Sequence, residues 1–304
     1  MLAFLNDFAL AQLLRAGPGQ IARQTAALRK FLWRQRVRTW TDINVRSVTS
    51  YLAGMILDGV NPKTVRNRRS DLSRFCEWAR REGLLAVNPV RDVDAPPLEE
   101  QVPHYLTEAE LQQALAVAES SGCWQEVAVA VASGLRLSEL ARLEWADVDL
   151  GRRILLVRKS KTRKARTVPL NELALSALTR QRTVTGLFLR VFPARESGWV
   201  RGRARGYEDR ERTPASFIDA ITPVRAAVAK FACLPGKSTG RAFHLLRHTF
   251  CSLLAQRGVS LRKIQGWAGH SDIRTTEIYT HLASGYDPAI EAAAFGHGPD
   301  IERL

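Results

Sequence analysis

Apolar residues return at helical spacing along most of this chain and at strand spacing in one short stretch. Val45, Val48, Leu52 and Met55 fall on one helix face, and so do Val65, Leu72, Phe75, Cys76 and Ala79. Asn61 and Pro62 supply an N-cap and a first-turn proline for the second of these helices, and Gly83 supplies its stop. After Val93 the period is lost, because Asp94-Ala95-Pro96-Pro97-Leu98-Glu99-Glu100-Gln101-Val102 is acidic and proline-bearing. It resumes behind Thr107 and Glu110, which form a Thr-x-x-Glu capping box. Leu137, Leu140 and Leu143 share a face after Arg136, as do Leu246, Phe250, Leu253 and Leu254 after His244. Between them, residues 154–157 and 166–170 read as the strands of a β-hairpin around a short polar segment. The glycine- and arginine-rich residues 197–207 show no period and read as an exposed loop. The pattern predicts a mainly α chain with a small β component (α+β): a helical domain over 1–93, a linker over 94–102 and a larger domain over 103–304.

With 304 residues, 45% of them apolar, the chain is able to bury a core. Lys and Arg number 45 against 30 Asp and Glu, and the net charge of +15 calls for a polyanionic partner, nucleic acid ahead of an acidic membrane surface. No apolar run approaches the roughly 20 residues that span a bilayer, and the first residues lack the basic start of a signal peptide. A cytoplasmic, nucleoid-associated protein is the expectation. Cys76, Cys123, Cys233 and Cys251 are scattered and read as reduced, mostly buried thiols. Lys63, Arg66, Arg68 and Arg69 crowd two turns of the helix that starts at Pro62. Together with Arg34, Arg36 and Arg38 they are candidates to grip DNA phosphates, since clustered cations release counterions on meeting a duplex. Such contacts carry affinity more than sequence preference.

Tyr279 lies nine residues past His270 in Gly269-His270-Ser271-Asp272-Ile273-Arg274-Thr275-Thr276-Glu277-Ile278-Tyr279. A phenol has a pKa of about 10, so as a nucleophile it needs cationic and hydrogen-bonding neighbours that stabilise charge during attack. Cleaving a phosphodiester concentrates negative charge on the non-bridging oxygens, and a guanidinium fork meets two of them at once. Arg136 and Arg247 are the candidates for that task. Glu139, three residues past Arg136, shares its helix face and is suited to hold neighbouring cations in place. His244 precedes Arg247 by three residues, so both point to one side of their helix. With an ordinary pKa of about 6.5, His244 suits accepting the phenol proton or binding a phosphate oxygen. His248 reads as structural. His270 is placed to donate to the phosphate, with Ser271 and Asp272 as N-caps of a helix carrying Tyr279. Lys159, Lys161 and Lys164 in the hairpin turn offer an ammonium that, with its pKa depressed by like charges, would protonate a leaving oxygen. A zinc reading of His244 and His248 fails for want of the glutamate of His-Glu-x-x-His, because Leu245 stands in its place.

In this order, the segments 134–140, 159–170, 244–249 and 269–281 resemble those of the tyrosine recombinase (phage integrase) family of DNA-cutting and rejoining enzymes, a likeness that spans most of the chain. The resemblance implies a helical core-binding domain followed by a catalytic domain, and selects Lys161 as the lysine of a mobile hairpin. It implies attack by Tyr279 to give a 3′-phosphotyrosine and a free 5′ hydroxyl, with Arg136, Arg247 and His270 stabilising the transition state, Lys161 protonating the leaving oxygen and His244 assisting. It further implies double-stranded DNA as partner, a homotetramer acting on two sites through a Holliday junction, accessory DNA-bending proteins, and no metal or nucleotide cofactor. The chain departs from the family where Ser133 replaces a frequent Thr, Ser160 and Thr162 replace glycines beside the lysine, and Trp267 replaces a leucine. Two rivals remain: a type IB topoisomerase with the same chemistry, and a non-catalytic DNA-binding protein in which Tyr279 is core. The separate helical domain and the Arg-x-Ser-Glu-Leu context favour recombination.

Overall fold

The computed structural model describes residues 1–98, 103–158, 165–195, 199–200, 203–204, 207–228 and 241–282. They are mostly helical, with short antiparallel strands, as the hydrophobic pattern predicts. The chain divides into two compact units, Met1–Gln101 and Val102–Leu304.

The first unit holds helices α1 (Leu2–Gln12), α2 (Pro18–Arg34), α3 (Val45–Leu57) and α4 (Pro62–Arg81). Val48, Leu52 and Met55 of α3 are buried, whereas Val45, in its first turn, stays exposed. All five predicted positions of α4 are buried. The helix starts where Asn61 Oδ1 accepts from the Lys63 amide at 2.9 Å and ends before Gly83, whose φ of +72° suits a residue without a side chain. Edge-to-face ring pairs fill the centre, Phe8 with Phe75 at 5.4 Å and Phe31 with Tyr51 at 5.2 Å. Each such side chain contributes about 1.5–3 kcal/mol by leaving water.

The second unit opens with α5 (Glu108–Ser120), whose capping box forms as read: the Thr107 amide donates to Glu110 Oε2 at 2.7 Å and the Glu110 amide to Thr107 Oγ1 at 3.3 Å. Helix α6 (Trp124–Ser133) is buried from Glu126 onward and packs against α5, α8 (Glu172–Thr185) and α11 (Arg241–Gln256), which explains its nearly uniform apolar sequence. Between α6 and α8 lie α7 (Leu137–Ala141) and a three-stranded sheet of β1 (Val148–Asp149), β2 (Ile154–Val157) and β3 (Arg166–Pro169). The hairpin is therefore present, with Leu155 opposite Val168 and Val157 opposite Arg166, and β1 extends it. Beyond α8 the described residues of 197–207, namely 199–200, 203–204 and 207, lie in strands rather than in the loop read from the sequence. There β5 (Trp199–Val200) pairs with β6 (Arg203–Ala204), while β4 (Pro193–Arg195) pairs with β7 (Tyr207–Glu211). Strand pairs of two residues are too short to leave a period in sequence. The unit continues through α9 (Pro214–Ala220) and α10 (Thr222–Ala227) to α11, α12 (Leu261–Ala268) and α13 (Arg274–Glu277).

Cys76, Cys123 and Cys251 are buried thiols outside any disulfide, while Cys233 lies outside the described residues. Among the described residues no helix is long and apolar enough to cross a membrane.

Candidate active site

Helix α6 ends at Gly134, whose φ is +61° and whose missing Cβ would strike the Phe250 ring at 2.4 Å. This tight turn places Arg136 at the N-cap of α7. Glu139 reaches back to accept from the Arg136 amide at 2.9 Å and from its Nη1 at 3.0 Å, so a carboxylate aims the guanidinium. The other fork nitrogen of Arg136 donates to the Gly269 carbonyl at 2.8 Å. Arg247, on α11 and 5% exposed, donates to the Gly134 and Ala268 carbonyls, both at 2.5 Å. Arg166, from β3, donates to the Trp267 carbonyl at 2.7 Å. Three consecutive carbonyls at the end of α12 thus each accept from a different arginine. A helix C-terminus offers unpaired carbonyls and partial negative charge, both of which attract cations.

Burial, followed by repulsion from Arg136, pushes Arg247 down to about 10, which leaves it cationic at neutral pH. Burial alone would raise the Glu139 carboxyl, but hydrogen bonds and attraction from Arg166, then Arg136, hold it below the usual carboxylate range.

The chain leaves α12 through Gly269, at φ +69°, and presents His270 directly beside the arginines. Its Nδ1 shares a hydrogen bond with Thr276 Oγ1 at 2.9 Å. Burial, then the charges of Arg247 and Arg136, push the ring down to about 3, so it is neutral at pH 7. Asp272 caps the following turn by accepting from the Arg274 amide at 3.1 Å. The helix expected to carry Tyr279 stops at Glu277, however, and the tyrosine lies in the turn beyond it. Ile273, Thr275, Thr276 and Ile278 are β-branched and give a helix little support there.

Tyr279 is 1% exposed and packs with Phe250, Cys251, Ala255, Ile264 and Ala268. Its hydroxyl shares a 2.5 Å hydrogen bond with His248 Nδ1. Burial, then Cys251, drive the phenol well above its usual value, with Arg247 pulling the other way. His248 is itself pushed down to about 4 by burial, then by His244 and Arg247. His248, read from the sequence as structural, is thus the ring that meets the hydroxyl. His244 sits one turn earlier, exposed, with its ring centroid 6.4 Å from that of His248.

Of the sequence candidates, Arg136, Glu139, Arg247 and His270 meet in one network, with Tyr279 stored beside it. Lys159, Lys161 and Lys164 lie outside the described residues. The α4 arginines are engaged within their own unit. Arg66 donates to the Pro96 carbonyl at 2.7 Å and Arg69 to the Val93 carbonyl at 2.6 Å, while Arg68 pairs with Asp71 at 3.2 Å. Arg34 pairs with Asp58 at 2.7 Å, and Lys63 is exposed. Among the described residues no cluster of His, Cys, Asp or Glu is placed to hold a metal.

Arg166 is the site residue that pattern reading passes over. Its signal is period-two: it shares the inward face of β3 with buried Val168, and a cation there demands a buried partner.

The phage integrase family profile matches residues 104–285. Tyrosine recombinase XerC of Xanthomonas axonopodis pv. citri (strain 306) is 31% identical over 242 residues, covering 76% of this chain and 73% of the relative. XerC of Bacillus pumilus (strain SAFR-032) is 28% identical over 264 residues, covering 84% and 82%. A lambda integrase(75-356) dimer bound to a COC′ core site has the same fold, with a TM-score of 0.71 at 21% identity over 94% of this chain and 98% of that one. The Tn1549 transposon integrase in complex with transposon right end DNA gives 0.69 at 19% identity over 96% and 99%.

Proposed function

Since this chain belongs to the phage integrase family and is a site-specific tyrosine recombinase, we propose that Tyr279 is its nucleophile and that Arg136, Arg247 and His270 bind the scissile phosphate. The observation that carries this reading is the gathering of those three side chains on the α12 C-terminus, beside the turn that holds Tyr279. Both guanidinium forks are fixed before substrate arrives, so stabilising the five-coordinate phosphorus requires little reorganisation. His270, neutral at working pH, adds a hydrogen-bond donor to the phosphate without another full charge.

The phenol oxygen attacks phosphorus and the bond to the 5′ oxygen breaks, leaving a 3′-phosphotyrosine and a 5′ hydroxyl. As the phenol attacks, its proton passes to a histidine of α11, either His248, which meets the hydroxyl at rest, or His244 one turn away. Lys161 returns a proton to the leaving oxygen. The covalent link keeps the phosphodiester energy, so rejoining needs neither nucleotide nor metal. Storage as a buried neutral phenol also means that the 278–280 turn must shift before attack.

Double-stranded DNA is the partner. Residues 1–93 form the gripping domain, 94–102 the linker and 103–304 the catalytic domain, with Lys63, Arg66, Arg68, Arg69 and Arg34 on backbone phosphates. A lambda integrase tetramer bound to a Holliday junction shares the fold at 21% identity, and a homotetramer on two sites in the cytoplasm is the assembly we assign here.

The test starts from a binding site selected from a random duplex library with the full-length protein, then nicked within the selected sequence. Wild type forms an adduct that survives denaturant and disappears in Tyr279→Phe. An adduct that persists in Tyr279→Phe, or none with wild type, overturns the reading.

A further inference from the structure

We infer that Arg166 is a positioning residue of the strand-transfer centre: seated between Glu139 and the Trp267 carbonyl, it holds the Arg136 fork and the turn carrying His270 at a fixed separation. This rests on the function proposed above and extends it to a residue that touches neither nucleophile nor phosphate.

The geometry is specific. The Arg166 side chain is 8% exposed and that of Glu139 is 4%. Nη1 donates to Glu139 Oε1 at 3.0 Å, Nη2 to Oε2 at 2.7 Å, and Nε to the Trp267 carbonyl at 2.7 Å. All three guanidinium nitrogens are committed, two of them in the parallel arrangement that only a planar fork provides. Glu139 Oε1 is shared, because Arg136 Nη1 also donates to it at 3.0 Å. Without Arg166, the carboxylate would have Arg136 as its remaining close cation and would draw that fork inward. Arg166 also lies close against Gly269, where an added Cβ would come within 2.9 Å of its Cδ, Nε and Nη1. Gly269 is the residue whose carbonyl binds Arg136 and whose successor is His270. One side chain therefore sets two coordinates of the site, the aim of Arg136 through Glu139 and the path of the 267–270 turn through direct contact.

A buried charge cluster contributes little net stability compared with apolar packing of the same volume. What it supplies is a fixed arrangement. Lysine keeps the charge but cannot donate along two parallel directions and to a third carbonyl at once.

The experiment measures single-turnover adduct formation at saturating selected, nicked duplex, together with duplex affinity, for wild type, Arg166→Lys, Arg136→Ala and the double variant. Arg166→Lys should slow the saturated rate about 10- to 100-fold while affinity shifts less than about 3-fold. In the Arg136→Ala background the same change should add less than about 2-fold, since its main lever has gone. A saturated rate equal to wild type, or two effects that multiply in full, overturns the inference. Arg166→Met is the second variant, with thermal melts of both. Unfolding of both variants also overturns it, since Arg166 would then belong to the fold rather than to the site's geometry. A wild-type protein that forms no adduct would sink the strand-transfer reading and this inference together, whereas a wild-type adduct indifferent to Arg166→Lys would sink the inference alone.

Discussion

Two groups of arginines divide this molecule. Those on α4 and at Arg34 are half-exposed or exposed and meet single carboxylates or carbonyls of their own unit. Around α12, Arg166 and Arg247 are buried and Arg136 is half-buried, and their fork nitrogens point at fixed main-chain carbonyls and at Glu139. The same side chain is thus used in two ways. At the surface an arginine is a mobile charge whose pairing contributes about 0–1 kcal/mol and is screened by salt. In the interior its direction is set, and direction is what a transition state reads.

Substitutions sharpen this contrast, beginning with the largest effect. Tyr279→Phe should abolish adduct formation on nicked duplex while lowering stability by only about 1 kcal/mol, the worth of one buried hydrogen bond, as checked by denaturing gels and chemical melts. Arg247→Lys should slow the saturated single-turnover rate about 10²- to 10³-fold, the loss typical of one preorganised donor. A loss confined to DNA affinity would place Arg247 with the surface group instead. Glu139→Gln leaves the buried Arg166 and the partly buried Arg136 without their shared carboxylate and should cost about 3 kcal/mol in urea unfolding. An unchanged midpoint would show that the cluster is hydrated rather than buried.

Acid probes the same cluster. His248 and His270 are held near 4 and 3, below the ordinary 6.5, so the unfolded chain binds more protons than the folded one between those limits. Stability must therefore fall as pH drops from about 6.5 to 4, by up to about 1.4 kcal/mol per pH unit for each ring. Thermal melts across that range should show the loss, and His248→Asn should flatten it; a wild-type melting temperature that stays level would remove the burial argument for both rings. The smallest effect belongs to the surface group. Lys63→Ala should weaken DNA binding a few-fold, alike for all sequences, and lower the slope of log affinity against log salt by about 1. A sequence-dependent loss would mean base contact.

Sequence order by itself determined α3 and α4, the caps of α4 and α5 and the paired strands β2 and β3, because periodicity, Asn61-Pro62, the Thr107–Glu110 box and the turn glycines act over a few residues. It also singled out the residues proposed here for catalysis, since Arg136, Arg247, His270 and Tyr279 stand in a recognisable order. The two-residue strands of 199–204 were illegible, being shorter than any period. Tertiary packing alone decided that His248 rather than His244 holds the phenol, that Tyr279 rests outside a helix in an apolar pocket, and that Arg166 joins the centre across 27 residues from Glu139. Hydrogen bonds and burial depend on which surfaces meet, and residues far apart along a chain carry no local trace of the partner that folding assigns them.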